Sequence, residues 1–98
     1  MELVSIKKSE DGKHKYEAIF KNTKTGRTKT TKFGAVGYND YTTFPADVRD
    51  KHQEAYKKRH KGDNLTDATS AGSLSMYVLW SSPTVKGGIA NYKKHFKL

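Results

Sequence analysis

The chain has 98 residues, with 19 Lys and Arg against 10 Asp and Glu, a formal net charge of +9 and no cysteine. A chain of this length buries roughly 60 to 65% of its unfolded surface, which allows one hydrophobic core rather than two; without thiols, a disulfide framework and thiolate metal sites are excluded. The longest apolar stretch, Met76-Tyr77-Val78-Leu79-Trp80, falls far short of the roughly 20 residues of a membrane span, and MELVSIKKS at the start carries no secretory apolar segment.

Residues 1–33 read as a β-meander. Val4 and Ile6 share one phase, Glu10-Asp11-Gly12 turns the chain, and Lys13 to Lys21 alternates, with His14, Tyr16, Ala18 and Phe20 on one side and Lys13, Lys15, Glu17 and Lys21 on the other. Asn22 to Gly26 is a second turn, leading into a third strand from Arg27 to Phe33. One face should be apolar and the other cationic, and such a sheet needs the helices that follow as cover. Residues 34–44 form a Gly-aromatic loop: from Phe33 to Phe44 the chain places two glycines and four aromatics in twelve residues.

Residues 45–98 read as helical. The first helix is expected from Pro45 to about His60, capped by Thr42 or Thr43, closed by Lys57-Lys58-Arg59-His60-Lys61 at its negative end and stopped at Gly62-Asp63-Asn64. A second, capped by Thr66, Asp67 or Thr69, runs through Ala71-Gly72 to Trp80. A third runs from Pro83 or Thr84 to Lys97 with Val85, Ile89, Tyr92 and Phe96 as its apolar stripe, although Gly87-Gly88 weakens its first turn by ~1 kcal/mol per glycine. The expected fold is one α+β domain over residues 1–98, a three-stranded antiparallel meander followed by three helices packed on one face.

Catalytic chemistry is poorly served. His14, His52, His60 and His95 form no ligand pair, no nucleophile elbow is present, and the carboxylates are accounted for as caps and helix partners, so neither an enzyme nor a metal or other cofactor is expected. Gly34-x-x-Gly37 is followed by Tyr38-Asn39 and matches neither a phosphate-cradling nor a dinucleotide loop. Its glycines either let the aromatics fold inward or let the loop present Tyr38 or Tyr41 to a base or a partner protein.

The net charge points to a polyanion. Lys13, Lys15 and Lys21 project from one strand face, and Lys7, Arg27 and Lys29 extend that row if the register allows; the alternative is a merely solvated face. Six phosphate contacts would lower log K by about five per tenfold rise in salt. Only Arg27, Arg49 and Arg59 can make a bidentate guanine contact, so duplex DNA bound with little sequence preference is the expected partner.

Several runs carry a resemblance: Lys29-Thr30-x-x-Phe33-Gly34-Ala35-x-Gly37-Tyr38-x-Asp40-Tyr41-Thr42, Tyr56-x-x-Arg59-His60, Thr69-x-Ala71-Gly72-x-Leu74-Ser75-x-Tyr77-x-Leu79-Trp80 and Tyr92-Lys93-Lys94-x-Phe96. Over most of the chain this resembles a small basic protein family encoded by large nucleo-cytoplasmic DNA viruses of algae and amoebae. The resemblance carries no catalytic or binding residues over. It implies a viral setting, in the virion or the host cell interior, with the genome or capsid proteins as partners, and it suggests that the Gly-aromatic loop, Arg59-His60 and the Ala71-Gly72 helix start form one constellation. A helix start of small residues beside Arg59 and His60 would make an anion pocket; alternatively, Arg59 and His60 merely close their helix.

Overall fold

The computed structural model describes residues 2–60, 65 and 67–98. Three antiparallel strands, β1 (Glu2–Lys8), β2 (His14–Lys21) and β3 (Thr28–Ala35), form a sheet in the order β1-β2-β3. Helix α1 (Arg49–Arg59) follows, then α2 (Ala71–Leu74), which continues as a π-helical segment (Ser75–Leu79), and α3 (Val85–Phe96). This is the expected α+β order.

Register decides which strand residues meet the helices. Tyr16 stands opposite Phe33, Ala18 opposite Thr31 and Phe20 opposite Lys29. On the other side Leu3 stands opposite Phe20 and Ile6 opposite Ala18, with a register shift between Leu3 and Ser5. Three residues apart, Leu3 and Ile6 would face opposite ways in a regular strand; the bulge adds one residue and turns both to the covered face. Val4, expected beside Ile6, is left 55% exposed.

The core joins Ala18, Phe20 and Phe33 of the sheet to Leu74, Val78, Leu79 and Trp80 of the α2 region, Tyr56 of α1 and Tyr92 of α3. Each fully buried large apolar side chain contributes on the order of 1.5–3 kcal/mol. The chain ahead of α2 is pinned to β3 by Thr31 Oγ1, which donates to the Thr69 carbonyl at 2.7 Å, and the Tyr92 hydroxyl donates to the Ala68 carbonyl. Ser70 caps α2 by accepting from Ser73 N at 3.1 Å, rather than Asp67 or Thr69; the Asp67 carboxylate instead accepts from the Thr69 amide and hydroxyl, which holds its pKa below the ordinary value. The expected cap Thr66 and stop Gly62-Asp63-Asn64 lie outside the described residues.

Helix α1 starts one turn later than its sequence suggests. Thr42 and Thr43 do not cap it, because the Thr42 hydroxyl donates to the Asp40 carboxylate and Thr43 Oγ1 accepts from Asp40 N at 2.8 Å. Pro45 opens a turn, with Val48 N and Arg49 N both donating to its carbonyl at 3.1 Å, and the helix proper begins at Arg49.

The glycines that weaken α3 locally permit its packing. A Cβ on Gly88 would lie 2.0 Å from the Val78 carbonyl oxygen, whereas one on Gly87 would meet the Ser82 hydroxyl at 2.3 Å. Backbone cannot swing aside as a side chain can. Gly88→Ala is therefore expected to lower stability by about 3 kcal/mol or more, and Gly87→Ala by distinctly less, in urea titrations.

The β1–β2 turn is closed by Asp11, which accepts from His14 Nδ1 at 2.7 Å and from the His14 and Lys13 amides at 2.9 Å each. The His14 side-chain bond foremost, then these amide bonds, hold the Asp11 carboxyl far below the usual carboxylate range. A depressed pKa gives stability that is present above the unfolded value, near pH 4, and is lost as pH falls. The protection of the amides of residues 9–14, taken relative to their intrinsic exchange at each pH, should fall between about pH 4 and 2, and Asp11→Asn should remove that dependence.

Candidate functional site

The expected cationic row is broken by the register. Lys7, Glu17 and Lys32 form one cross-strand line on the open face of the sheet, so an acid stands at its middle, with Lys7 Nζ 3.5 Å from Glu17 Oε1. Lys21 and Lys13 are exposed, the first on the same face at the end of β2, the second just before β2. Arg27 is exposed in the β2–β3 turn. Lys29 leaves the row: being opposite Phe20 it lies on the covered side, where its Nζ donates to Thr69 Oγ1 at 3.0 Å. Lys32, which no alternation marks in the sequence, takes the open-face position, its Nζ 3.5 Å from Asp11 Oδ2. Arg27 to Phe33 is too uniformly polar for alternation to tell its two faces apart.

Lys15 is also withdrawn. Its side chain is 18% exposed, and its Nζ lies 2.6 Å from Oδ2 of Asp40, a carboxylate buried to 3%. The other carboxylate oxygen accepts from Thr42 N at 2.8 Å and from the Thr42 hydroxyl. Asp40 N in turn donates to Thr43 Oγ1, and the Thr43 and Phe44 amides donate to the Asp40 carbonyl at 3.0 and 2.9 Å. One residue thus fixes the whole end of the Gly-aromatic loop.

The two tyrosines of the loop separate. Tyr41 is half-buried; its hydroxyl donates to Asp50 Oδ1 at 2.5 Å, which raises its pKa, and the Arg49 guanidinium carbon lies 5.7 Å from its ring centroid. It anchors the start of α1, so of the two tyrosines expected at a partner surface it is Tyr38 that the fold leaves exposed. Tyr38 is 75% exposed and stands at the mouth of a cleft of about 310 Å³.

That cleft lies between the loop and the C-terminal end of α1. From the loop side come Gly34, Tyr38, Asn39 and Asp40, and from the helices Arg59, His60, Ser75 and Trp80, with Lys15 inside. Gly34 is needed there: its φ is +77°, and a Cβ would come within 2.7 Å of Leu79 Cδ1 and 3.2 Å of Lys15 Cβ. The aromatic wall is the Tyr56–Trp80 stack, with ring centroids 4.3 Å apart and planes inclined by 12°, and His60 lies 4.2 Å from the Tyr56 ring. The loop and Arg59-His60 therefore meet, as the sequence suggested. Ala71 and Gly72 do not line the cleft; their helix contributes Ser75 and Leu79 from its π-helical segment instead, so no helix start faces Arg59. Arg59 reaches no carboxylate among the described residues.

Chemically the cleft offers aromatic surface and cations. Among the described residues no three His, Asp or Glu side chains cluster as a metal site would require, and no helix is long and apolar enough to cross a membrane.

A three-stranded meander covered by helices, with exposed cations on several surfaces and an aromatic-basic cleft, defines a small basic α+β protein. Its family is set by a match over residues 4–60, which takes in the sheet, the loop and α1: the chain belongs to the family described as "Family of unknown function (DUF5754)". No curated protein and no solved structure matches it.

Asp40→Ala should cost about 3 kcal/mol in urea unfolding, because it strands the Lys15 ammonium and frees the loop end; the cost stays near the low end for a broken pair because Lys15 can turn toward water.

Proposed function

We propose that this protein is a non-enzymatic nucleic-acid-binding protein that engages phosphates through cations the fold does not use. The supporting observation is the shortage of acid partners. Of the described Lys and Arg side chains only Lys7, Lys15 and Lys32 lie within ion-pair distance of a described carboxylate. Exposed cations remain on three surfaces: Lys13 and Lys21 at the sheet, Lys51, Lys57 and Lys58 on α1, and Lys93, Lys94 and Lys97 at the end of α3.

Helix α1 fits this use. It buries only Tyr56, while its last turn carries Lys57, Lys58 and Arg59. A helix polar nearly all round has little to gain from the core and much surface to offer a charged partner. Lysines meet phosphates as point charges, so binding should be strong at low salt and weakly dependent on sequence. Duplex DNA is the natural first ligand. In the viral setting implied by the sequence resemblance, such a protein would accompany the genome in the virion or the infected cell.

A second reading, a virion module that docks on capsid or other acidic proteins, is favoured by Val36 and Tyr38, which expose 51% and 75% of their surface on one loop. Protein purified in low salt should carry nucleic acid, seen as a high absorbance ratio at 260 over 280 nm that falls after a high-salt wash; its absence would favour the second reading.

Fluorescence anisotropy with a labelled duplex should show log K falling by roughly five per tenfold rise in salt if six phosphates are engaged. Lys57→Ala combined with Lys58→Ala should lower that slope by about two and affect all sequences alike. Failure to bind any duplex at ~50 mM salt would overturn the reading.

A further inference from the structure

We infer that the cleft between the Gly-aromatic loop and the end of α1 binds one unpaired nucleotide, its base against Tyr38 and its phosphate against Arg59 and His60. This goes beyond phosphate contacts on the outer surfaces, since a duplex held only by its backbone would leave the cleft empty.

Four observations converge on it. The first is size: about 310 Å³ is at the low end of ligand pockets, room for one nucleotide but not for a duplex. The second is chemistry. Tyr38 leaves 75% of its surface exposed and is not part of the core, and an exposed aromatic ring is the usual stacking platform for an unpaired base. The third is charge. Among the described residues Asp40 is the only acid lining the cleft, and both its oxygens are already engaged, by Lys15 and by Thr42, so it does not stand as a free repelling group. Arg59 has no carboxylate partner among the described residues and can present two donors to a phosphate. The fourth is rigidity: the bonds around Asp40 and the Tyr56–Trp80 stack set both walls before any ligand arrives, which lowers the ordering cost of binding.

A base paired inside a duplex cannot reach Tyr38, so the cleft requires a free nucleotide or an unpaired one within a strand. The shared chemistry is a base carrying a phosphate.

The sole tryptophan, Trp80, lines the cleft and reports on it. Its indole resonance would be followed while the full chain is titrated with adenosine 5′-monophosphate, adenosine, inorganic phosphate and a 12-nucleotide single strand. The nucleotide or the strand should give a saturable shift, with adenosine and phosphate alone at least about tenfold weaker. Tighter binding of the strand assigns the site to nucleic acid, and tighter binding of the mononucleotide assigns it to a free nucleotide. Tyr38→Ala and Arg59→Ala, both at exposed positions, should each weaken binding about tenfold or more, and Arg59→Lys should restore part of it. Duplex binding and its salt slope should survive Tyr38→Ala, which separates this site from the surface reading. No saturable shift with either ligand, or unchanged affinity in both folded alanine variants, would overturn the inference.

Discussion

A carboxylate taken out of water must be bonded on every side or it destabilises whatever encloses it. Asp40 meets that demand with the Lys15 ammonium, the Thr42 amide and the Thr42 hydroxyl, and its position decides much of the rest. Lys15 belongs to the middle strand, so the ion pair ties the loop to the sheet at one place. Thr42 and Thr43 are consumed in the same network, which is why they cannot cap α1 and why that helix begins only after the Pro45 turn. With the loop end fixed, Phe44 stacks on His52 at a ring separation of 3.9 Å, Tyr41 bonds Asp50, and α1 is held along its first turns by aromatic and polar contacts rather than by an apolar stripe.

At its other end α1 depends on Tyr56 against Trp80 and on Gln53, whose side-chain amide donates to the Trp80 carbonyl at 2.6 Å. Trp80 itself is placed by the α2–α3 pair, and that pair approaches closely only because Gly88 has no side chain. The cleft therefore rests on two contacts far apart in sequence, a salt bridge between residues 15 and 40 and a backbone approach between residues 78 and 88. Neither lies in the mouth of the cleft. The residues at the mouth, Tyr38 and Arg59, are exposed, and neither side chain belongs to the core.

What the sequence disclosed follows from how local each signal is. The alternation in β2 is strong, and its apolar phase of Tyr16, Ala18 and Phe20 is the one the helices cover. In β1 the same logic misplaced Val4, because a bulge shifts register by a residue that composition does not mark. In β3 the side of Lys29 was hidden because a Thr/Lys run has no apolar phase. The meeting of the Gly-aromatic loop with Arg59-His60 was visible as a grouping of motifs, but not its third wall: the Ala71-Gly72 start was a reasonable anion site, whereas the structure brings in Ser75 and Leu79 from a widened helical turn. Trp80 as a cleft residue had no sequence signal, since a tryptophan ending an apolar helix reads simply as core.

The charge can now be divided by use. Lys15 is structural, held at 18% exposure by a buried acid, and Lys7 and Lys32 lie beside acids at the surface. Surface pairs of that kind contribute ~0–1 kcal/mol, so the fold loses little if they open toward a polyanion. Lys57 and Lys58 of α1 and Lys93 and Lys94 of α3 lie in the last turns of their helices, where they suit the negative helix end while keeping their ammonium groups in solvent. Two different demands are then separable on one small surface. Under the proposed function the lysines would supply long-range attraction that salt screens, while in the cleft the stacking of a base on an aromatic ring would be the contact that salt weakens least. On that proposal a strand drawn in by the first would be held by the second, a division of labour that fits cations on several faces and an exposed Tyr38 beside the cleft.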